Sequence, residues 1–248
     1  MFFIIIILII LLALLIKYFS IYENKISKVF VINLIKRPER LAFFSSTYNL
    51  KIPFEIFNAI DGKTLHLPTL ISNKIIGETG LKSIENKKRN YHYELTNINA
   101  VGCYLSHYYL WKQILNTKGN NFLIFEDDTI FNSISLYDIN RRLSKIPNDW
   151  DIYLLSSPTL VYKKTNIKVH RFFCTNAYII NKKGIDKILN NCFPINQQLD
   201  SLLSDLASDN KLNIYIHDNL NYYRQSKDFE TDIQDKAYNL SYERFVLK

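Results

Sequence analysis

Three consecutive carboxylates, Glu126-Asp127-Asp128, follow directly on the apolar run Phe122-Leu123-Ile124-Phe125. Carboxylates this close repel one another and carry a desolvation cost unless a cation or solvent compensates them. A hard divalent cation such as Mn²⁺ or Mg²⁺ takes oxygen ligands and would offset the repulsion. An acidic turn facing water is the competing reading. Two arginines, Arg37 and Arg40, bracket Pro38 just after the run Val29-Phe30-Val31-Ile32-Asn33-Leu34. Proline suits the first turn of a helix, so both guanidinium groups fall at a strand-to-helix junction. Arginine forks and helix N-terminal amides both favour phosphate; a solvated basic turn is the alternative. Cys103 and His107 stand one helical turn apart at i, i+4, a spacing that puts two metal ligands side by side. No further Cys or His lies near them in sequence to complete a zinc site. Structural hydrogen bonding, or a place in the cleft beside Ser106, is the preferred reading of His107.

The elements that carry these residues can be read from pattern. Apolar runs of strand length start at Val29, Phe54, Asn121, Asp149 and Leu212, with shorter ones at Arg171–Thr175 and Ala177–Ile180. Val101, Leu105, Tyr108, Trp111 and Leu115 recur at spacings of three and four, which predicts a helix from Ala100 to Leu115 with Asn99 as its N-cap. Further helices are expected at Ile134–Lys145, Lys183–Asn191 and from Gln198, the last with Asp200 in its first turn. The strand ending at Ile216 delivers His217 and Asp218. Residues 69–97 show little periodicity and are expected to form a short helix and a loop of the kind that often serves as a lid. Strands alternating with helices predict an α/β class with a largely parallel sheet. In such sheets ligands bind outside the carboxyl ends of the strands, where the acidic triplet sits.

Composition bounds the function. The chain has 248 residues and a formal charge of +8, carried by scattered lysines. It has no long basic tract and no zinc-finger or other nucleic-acid module, so nucleic acid is not expected as a partner. Three widely spaced cysteines make no disulfide framework. Neither a G-x-G-x-x-G nor a Walker loop is present. Phe2 to Ile16 is an unbroken apolar run. With Lys17-Tyr18-Phe19 snorkelling and anchoring at the interface, it is expected to act as an uncleaved single-pass membrane anchor, in preference to a cleaved signal peptide. The side of the membrane is left open, because Lys17, Lys25 and Lys28 argue one way and a lumenal enzyme the other. The expected organisation is an anchor and short stem over 1–27 and one domain over 28–248.

Seven ordered motifs together resemble glycosyltransferase family 25, the lipopolysaccharide glycosyltransferases and collagen galactosyltransferase-like proteins. They are Val31-Ile32-Asn33-Leu34 with Arg37 and Arg40, Ala59-Ile60-Asp61-Gly62-Lys63, and Val101-Gly102-Cys103-Tyr104-Leu105-Ser106-His107 with Trp111. Phe125-Glu126-Asp127-Asp128, Trp150-Asp151-Ile152-Tyr153-Leu154, Ala177-Tyr178-Ile179-Ile180 and Leu199-Asp200-Ser201-Leu202-Leu203 complete the series. The resemblance implies a GT-A-type fold and inverting transfer of a hexose, galactose foremost, from a UDP-sugar to an acceptor hydroxyl. That hydroxyl would belong to a glycan, a lipid-linked glycan or a protein. It implies Asp128 as the direct ligand of Mn²⁺ or Mg²⁺, with Glu126 and Asp127 on ribose or metal-bound water and His217 as a further ligand. Arg37, Arg40, Asn33 and Asp61 would hold the nucleotide, Ser106 and His107 would line the acceptor side, and Asp200 would be the general base. Two departures stand out. Phe125 replaces a common Leu, and the flank Gln197-Gln198-Leu199 before Asp200 replaces Pro-Val. A membrane-anchored, catalytically inactive binding protein of the same fold is the alternative.

Overall fold

The computed structural model describes residues 4–12, 15, 25–86, 91–131, 135–156, 167–216, 223–225, 229 and 233. Strand β1 (Lys28–Asn33) leads into helix α1 (Pro38–Thr47), strand β2 (Phe54–Asn58), a 3₁₀ turn (Gly62–Thr64), and helices α2 (Leu67–Ser72), α3 (Glu78–Asn86) and α4 (Ile98–Leu115). Strands β3 (Asn121–Glu126) and β4 (Thr129–Phe131), helix α5 (Leu136–Leu143), and strands β5 (Ile152–Leu154), β6 (Ile167–Val169) and β7 (Ala177–Asn181) follow. Helices α6 (Lys182–Leu189) and α7 (Leu199–Ser208) and strands β8 (Ile214–Ile216) and β9 (Tyr223–Gln225) complete the order.

The main sheet runs β2-β1-β3-β7-β5-β8-β6, and β4 pairs with β9 separately. Its central strands are apolar on both faces because both faces are covered. Phe30, Ile32, Phe122, Ile124, Tyr178 and Ile180 pack on one side with α4, α6 and α7. Val29, Val31, Leu123, Phe125, Ala177 and Ile179 pack on the other with Phe44 of α1 and Ile139 of α5. This double burial explains why β1 and β3 read as unbroken apolar runs rather than alternating ones.

Several expectations need correction. The sheet is mixed: β1 is parallel to β2 and β3, and β5 to β8, but β7 is antiparallel to both β3 and β5, and β6 to β8. Hydrophobic pattern carries no strand direction, and β6 joins β7 through the loop 170–176 without a crossover helix. The strand expected at Arg171–Thr175 is that loop; the strand is Ile167–Val169. The long central helix starts at Ile98, and its N-cap is Asn97, whose side chain accepts from the N–H groups of Asn99 and Ala100. Residues 69–97 hold two helices, not one.

The membrane anchor is also corrected. Among the described residues no helix is long and apolar enough to cross a membrane. The helical residues described in that segment are 4–12 and 15.

Candidate functional site

The cleft lies where β1, β2 and β3, which run in parallel, reach their carboxyl ends. Ile32 stands opposite Glu126 in the β1–β3 register, so the triplet leaves the sheet beside Asn33. Ile32, Lys36, Arg40, Asp61, Gly62, Cys103, Ser106, His107, Glu126, Asp127 and Asp128 line the cleft, together with Ile233.

The triplet divides into two environments. Arg40 reaches from the first turn of α1 and places Nη2 2.5 Å from Asp127 Oδ1 and 2.8 Å from Asp128 Oδ2. Asn33 Nδ2 donates to Asp127 Oδ2 at 2.6 Å, and the Phe229 ring lies 6.0 Å from the Arg40 guanidinium carbon. Burial pushes the Asp127 carboxyl up to about 6 even though Arg40 and Asn33 pull the other way. This corner of the cleft is therefore short of positive charge. Glu126 is engaged elsewhere. Thr175 Oγ1 donates to its Oε1 at 2.9 Å, and His107 Nε2 stands 3.5 Å from the same oxygen. Burial alone would raise the Glu126 carboxyl, but His107, Thr175 and Arg40 outweigh it and hold it below the ordinary value.

Of the other expected residues, Asp61 lines the cleft with Lys36 Nζ at 2.6 Å; that bond, chiefly, holds its carboxyl low. Arg37 does not line the cleft; its Nε is bonded to Glu39 at 2.5 Å. Ser106 lines the cleft as expected, and its Oγ donates to Gly102 O at 2.7 Å and accepts from Ile60 N at 2.8 Å, tying α4 to the end of β2. His107 is fully buried and faces the cleft wall from α4. The face of α4 that carries Cys103 and His107 is thus turned to the cleft and the core. His217 lies outside the described residues.

Asp200, in the first turn of α7, is 7% exposed and stands outside the cleft wall. Its Oδ2 accepts from Cys174 N at 3.0 Å and lies 3.0 Å from His92 Nε2, whose ring packs edge-on against Phe173. The Cys103 thiol is pushed well up, first by burial and then by Glu126, Asp200 and Asp128, so carboxylates from both sides bear on one point of the cleft. Sequence reasoning missed His92, Phe229 and Ile233. His92 sits in a stretch without periodicity. Ile233 O accepts from Thr96 Oγ1 and Asn97 Nδ2, both at 2.9 Å, from a tract with no readable pattern. The Trp150-Asp151 motif is a packing device: buried Asp151 pairs with Lys187 and accepts from Asn213 N at 2.8 Å.

Helix α4 reaches the 3₁₀ turn only because Gly102 and Gly62 have no side chains. A Cβ on Gly102 would come within 2.7 Å of both Gly62 N and Ile60 O. Gly102→Ala is expected to lose about 1–3 kcal/mol, the range for overpacking, measured by denaturant unfolding. A loss below ~0.5 kcal/mol would mean that the turn yields freely.

The model of glycosyltransferase family 25 (LPS biosynthesis protein) matches residues 26–203. The chain is 24% identical to a glycosyltransferase 25 family member of Aedes aegypti over 79% of this chain and 34% of that protein. It is 29% identical to procollagen galactosyltransferase 1-A of Xenopus laevis over 66% and 28% of the two chains. It is also 29% identical to inactive glycosyltransferase 25 family member 3 of Mus musculus, over 52% and 21%. The chain thus spans about a third or less of these relatives' length. The match covers β1 through the first half of α7 and with them every cleft carboxylate described above. The chain belongs to glycosyltransferase family 25.

Proposed function

We propose that the chain is a hexosyltransferase of GT-A type that moves galactose from UDP-galactose to an acceptor hydroxyl with inversion. The observation that carries this reading is the cluster of Asp127, Asp128 and Arg40 at the carboxyl ends of parallel strands, where open sheets bind nucleotides. The galactosyltransferase names among the relatives support the sugar. A protein or glycan hydroxyl is the acceptor class that fits such relatives.

The donor set suits a hard divalent cation, since Asp127 resists ionisation even beside Arg40. Asp128 and Asp127 would hold Mn²⁺ or Mg²⁺, which when bound would neutralise the diphosphate as it leaves. Arg40, already poised over both aspartates, would share that anionic charge. Asp61 and Asn33 would orient the ribose and base, and Asp200 would take the acceptor proton. Glu126, expected on ribose or metal-bound water, already accepts from Thr175 and stands 3.5 Å from His107 Nε2, and is given no direct role in holding the donor.

One observation favours the inactive alternative. Arg40 already occupies one oxygen of each of the two aspartates that the cation would need, and one relative is named inactive. Thermal shift and donor turnover separate the readings. UDP with Mn²⁺ at a hundred times its Kd is expected to add about 2.7 kcal/mol of stability, with Mn²⁺-dependent UDP release from UDP-galactose. Stabilisation without UDP release, across a panel of UDP-sugars and acceptors, would favour the binding protein. Absence of both would sink the donor site.

A further inference from the structure

We propose that Cys103, His107 and Glu126 form a binding site for a borderline divalent cation of the Zn²⁺ type, separate from the Asp127–Asp128–Arg40 cluster. Helix α4 supplies the first two one turn apart on a single face, and the end of β3 supplies the third. One ligand atom from each residue lies within 4.8 Å of the others. The i, i+4 pair that lacked a partner in sequence gains its third ligand from a strand 19 residues further on.

The geometry at His107 points the same way. Its side chain is fully buried, and among the described residues Nε2 has no hydrogen-bond partner. The 3.5 Å between Nε2 and Glu126 Oε1 is longer than the ~2.7–3.2 Å of an ordinary N–H···O bond. It is, however, the separation expected of two ligands sharing a tetrahedral ion, roughly 3.3–3.8 Å for bonds of ~2.0–2.3 Å. On the far side of the ring, Nδ1 lies 2.8 Å from Tyr178 Oη, which also accepts from Trp111 Nε1 at 3.0 Å. If Nδ1–H donates to that oxygen, the Nε2 lone pair is left aimed at Glu126 and Cys103. This is the outer-shell arrangement that orients a ligating imidazole. Thr175 performs the corresponding service for Glu126.

The ligand chemistry selects the ion. A thiolate and an imidazole prefer Zn²⁺ over Mn²⁺ or Mg²⁺, which the neighbouring aspartates suit. Three protein ligands, with Cys103 and Glu126 on the cleft wall, leave a fourth position toward the cleft. On binding, the Cys103 thiol gives its proton to solvent and its sulfur takes the ion instead. The site does not depend on sugar transfer.

The test titrates the chelator-stripped full chain with Co²⁺ and reads the thiolate-to-cobalt charge-transfer absorption. Wild type is expected to develop that band to about one equivalent and to lose it when Zn²⁺ is added. Cys103→Ser, nearly isosteric, should abolish the band with an unchanged circular dichroism spectrum. Glu126→Gln and His107→Gln should weaken Co²⁺ binding by about tenfold or more. Absence of the band in wild type overturns the proposal. So does a band that persists in Cys103→Ser, which would locate the ion on Cys174 or Cys192. Binding of UDP with Mn²⁺, measured on the same samples, keeps the two sites distinct. Its retention in Cys103→Ser supports separate sites, whereas its absence from wild type counts against the donor reading alone.

Discussion

Asp200→Asn is expected to slow transfer to acceptor by about 10²–10⁴-fold, the contribution of a positioned general base, with donor binding and stability near wild type. Asparagine keeps the shape of the side chain and an oxygen to accept from Cys174 N, 3.0 Å away, so the loss would report chemistry rather than folding. The carboxylate is nearly buried and held in place by Cys174 N and His92 Nε2, each 3.0 Å from its Oδ2. The measurement is UDP release with acceptor present, alongside the UDP-induced shift in melting temperature. Turnover near wild type in a folded variant would reduce Asp200 to a first-turn carboxylate worth only about 0.3–1 kcal/mol through the helix dipole.

Arg40→Met is expected to cost about 3–5 kcal/mol, the penalty for stripping one partner from a buried ion pair, or on the order of 10 °C in melting temperature. Arg40 is 8% exposed, Asp127 4% and Asp128 8%, so removing the guanidinium leaves two carboxylates with little water to replace it. The deficit should depend on pH. The Asp127 carboxyl sits at about 6, above its ordinary 3.8. A group raised in the folded state contributes stability that is full below the unfolded value and lost as pH rises through the folded one. Without Arg40 the folded value rises further, so the variant keeps losing stability where wild type has levelled off, and it falls away from wild type as pH increases from about 6 upward. Thermal denaturation with chelator present reads this directly. A melting temperature within about 2 °C of wild type throughout would show that solvent screens the pair.

How far the site was legible depended on whether a residue's role was local. The apolar run into Glu126-Asp127-Asp128 announced a buried strand with charge at its end, and Pro38 announced the helix that carries Arg40. Both signals lie in adjacent residues. Partner choice did not. Arg37 and Arg40 look alike in sequence, yet one turn of helix sends Arg40 to the aspartates and leaves Arg37 on Glu39. Ser106 lines the cleft but spends its hydroxyl on the backbone. Periodicity found α4 but could not show that the face carrying Cys103 and His107 is turned inward too, because the exposed polar residues that mark its outer side, Lys112 and Gln113, fall only toward its C-terminal end. The direction of β7 was equally silent, because an unbroken apolar run is the same read either way.

The position of β3 has a consequence for how the chain is made. It lies between β1, roughly 90 residues before it in the pairing register, and β7, about 50 residues after it. Such distant pairings make folding slow. At ~5–20 residues per second of synthesis, the β7 side of a strand reading Phe122-Leu123-Ile124-Phe125 stays unpaired for several seconds. That is an exposed apolar edge of the kind that seeds aggregation. Fragments ending between β3 and β7 should therefore collect in the insoluble fraction, while those that include β7 give the strand its second neighbour.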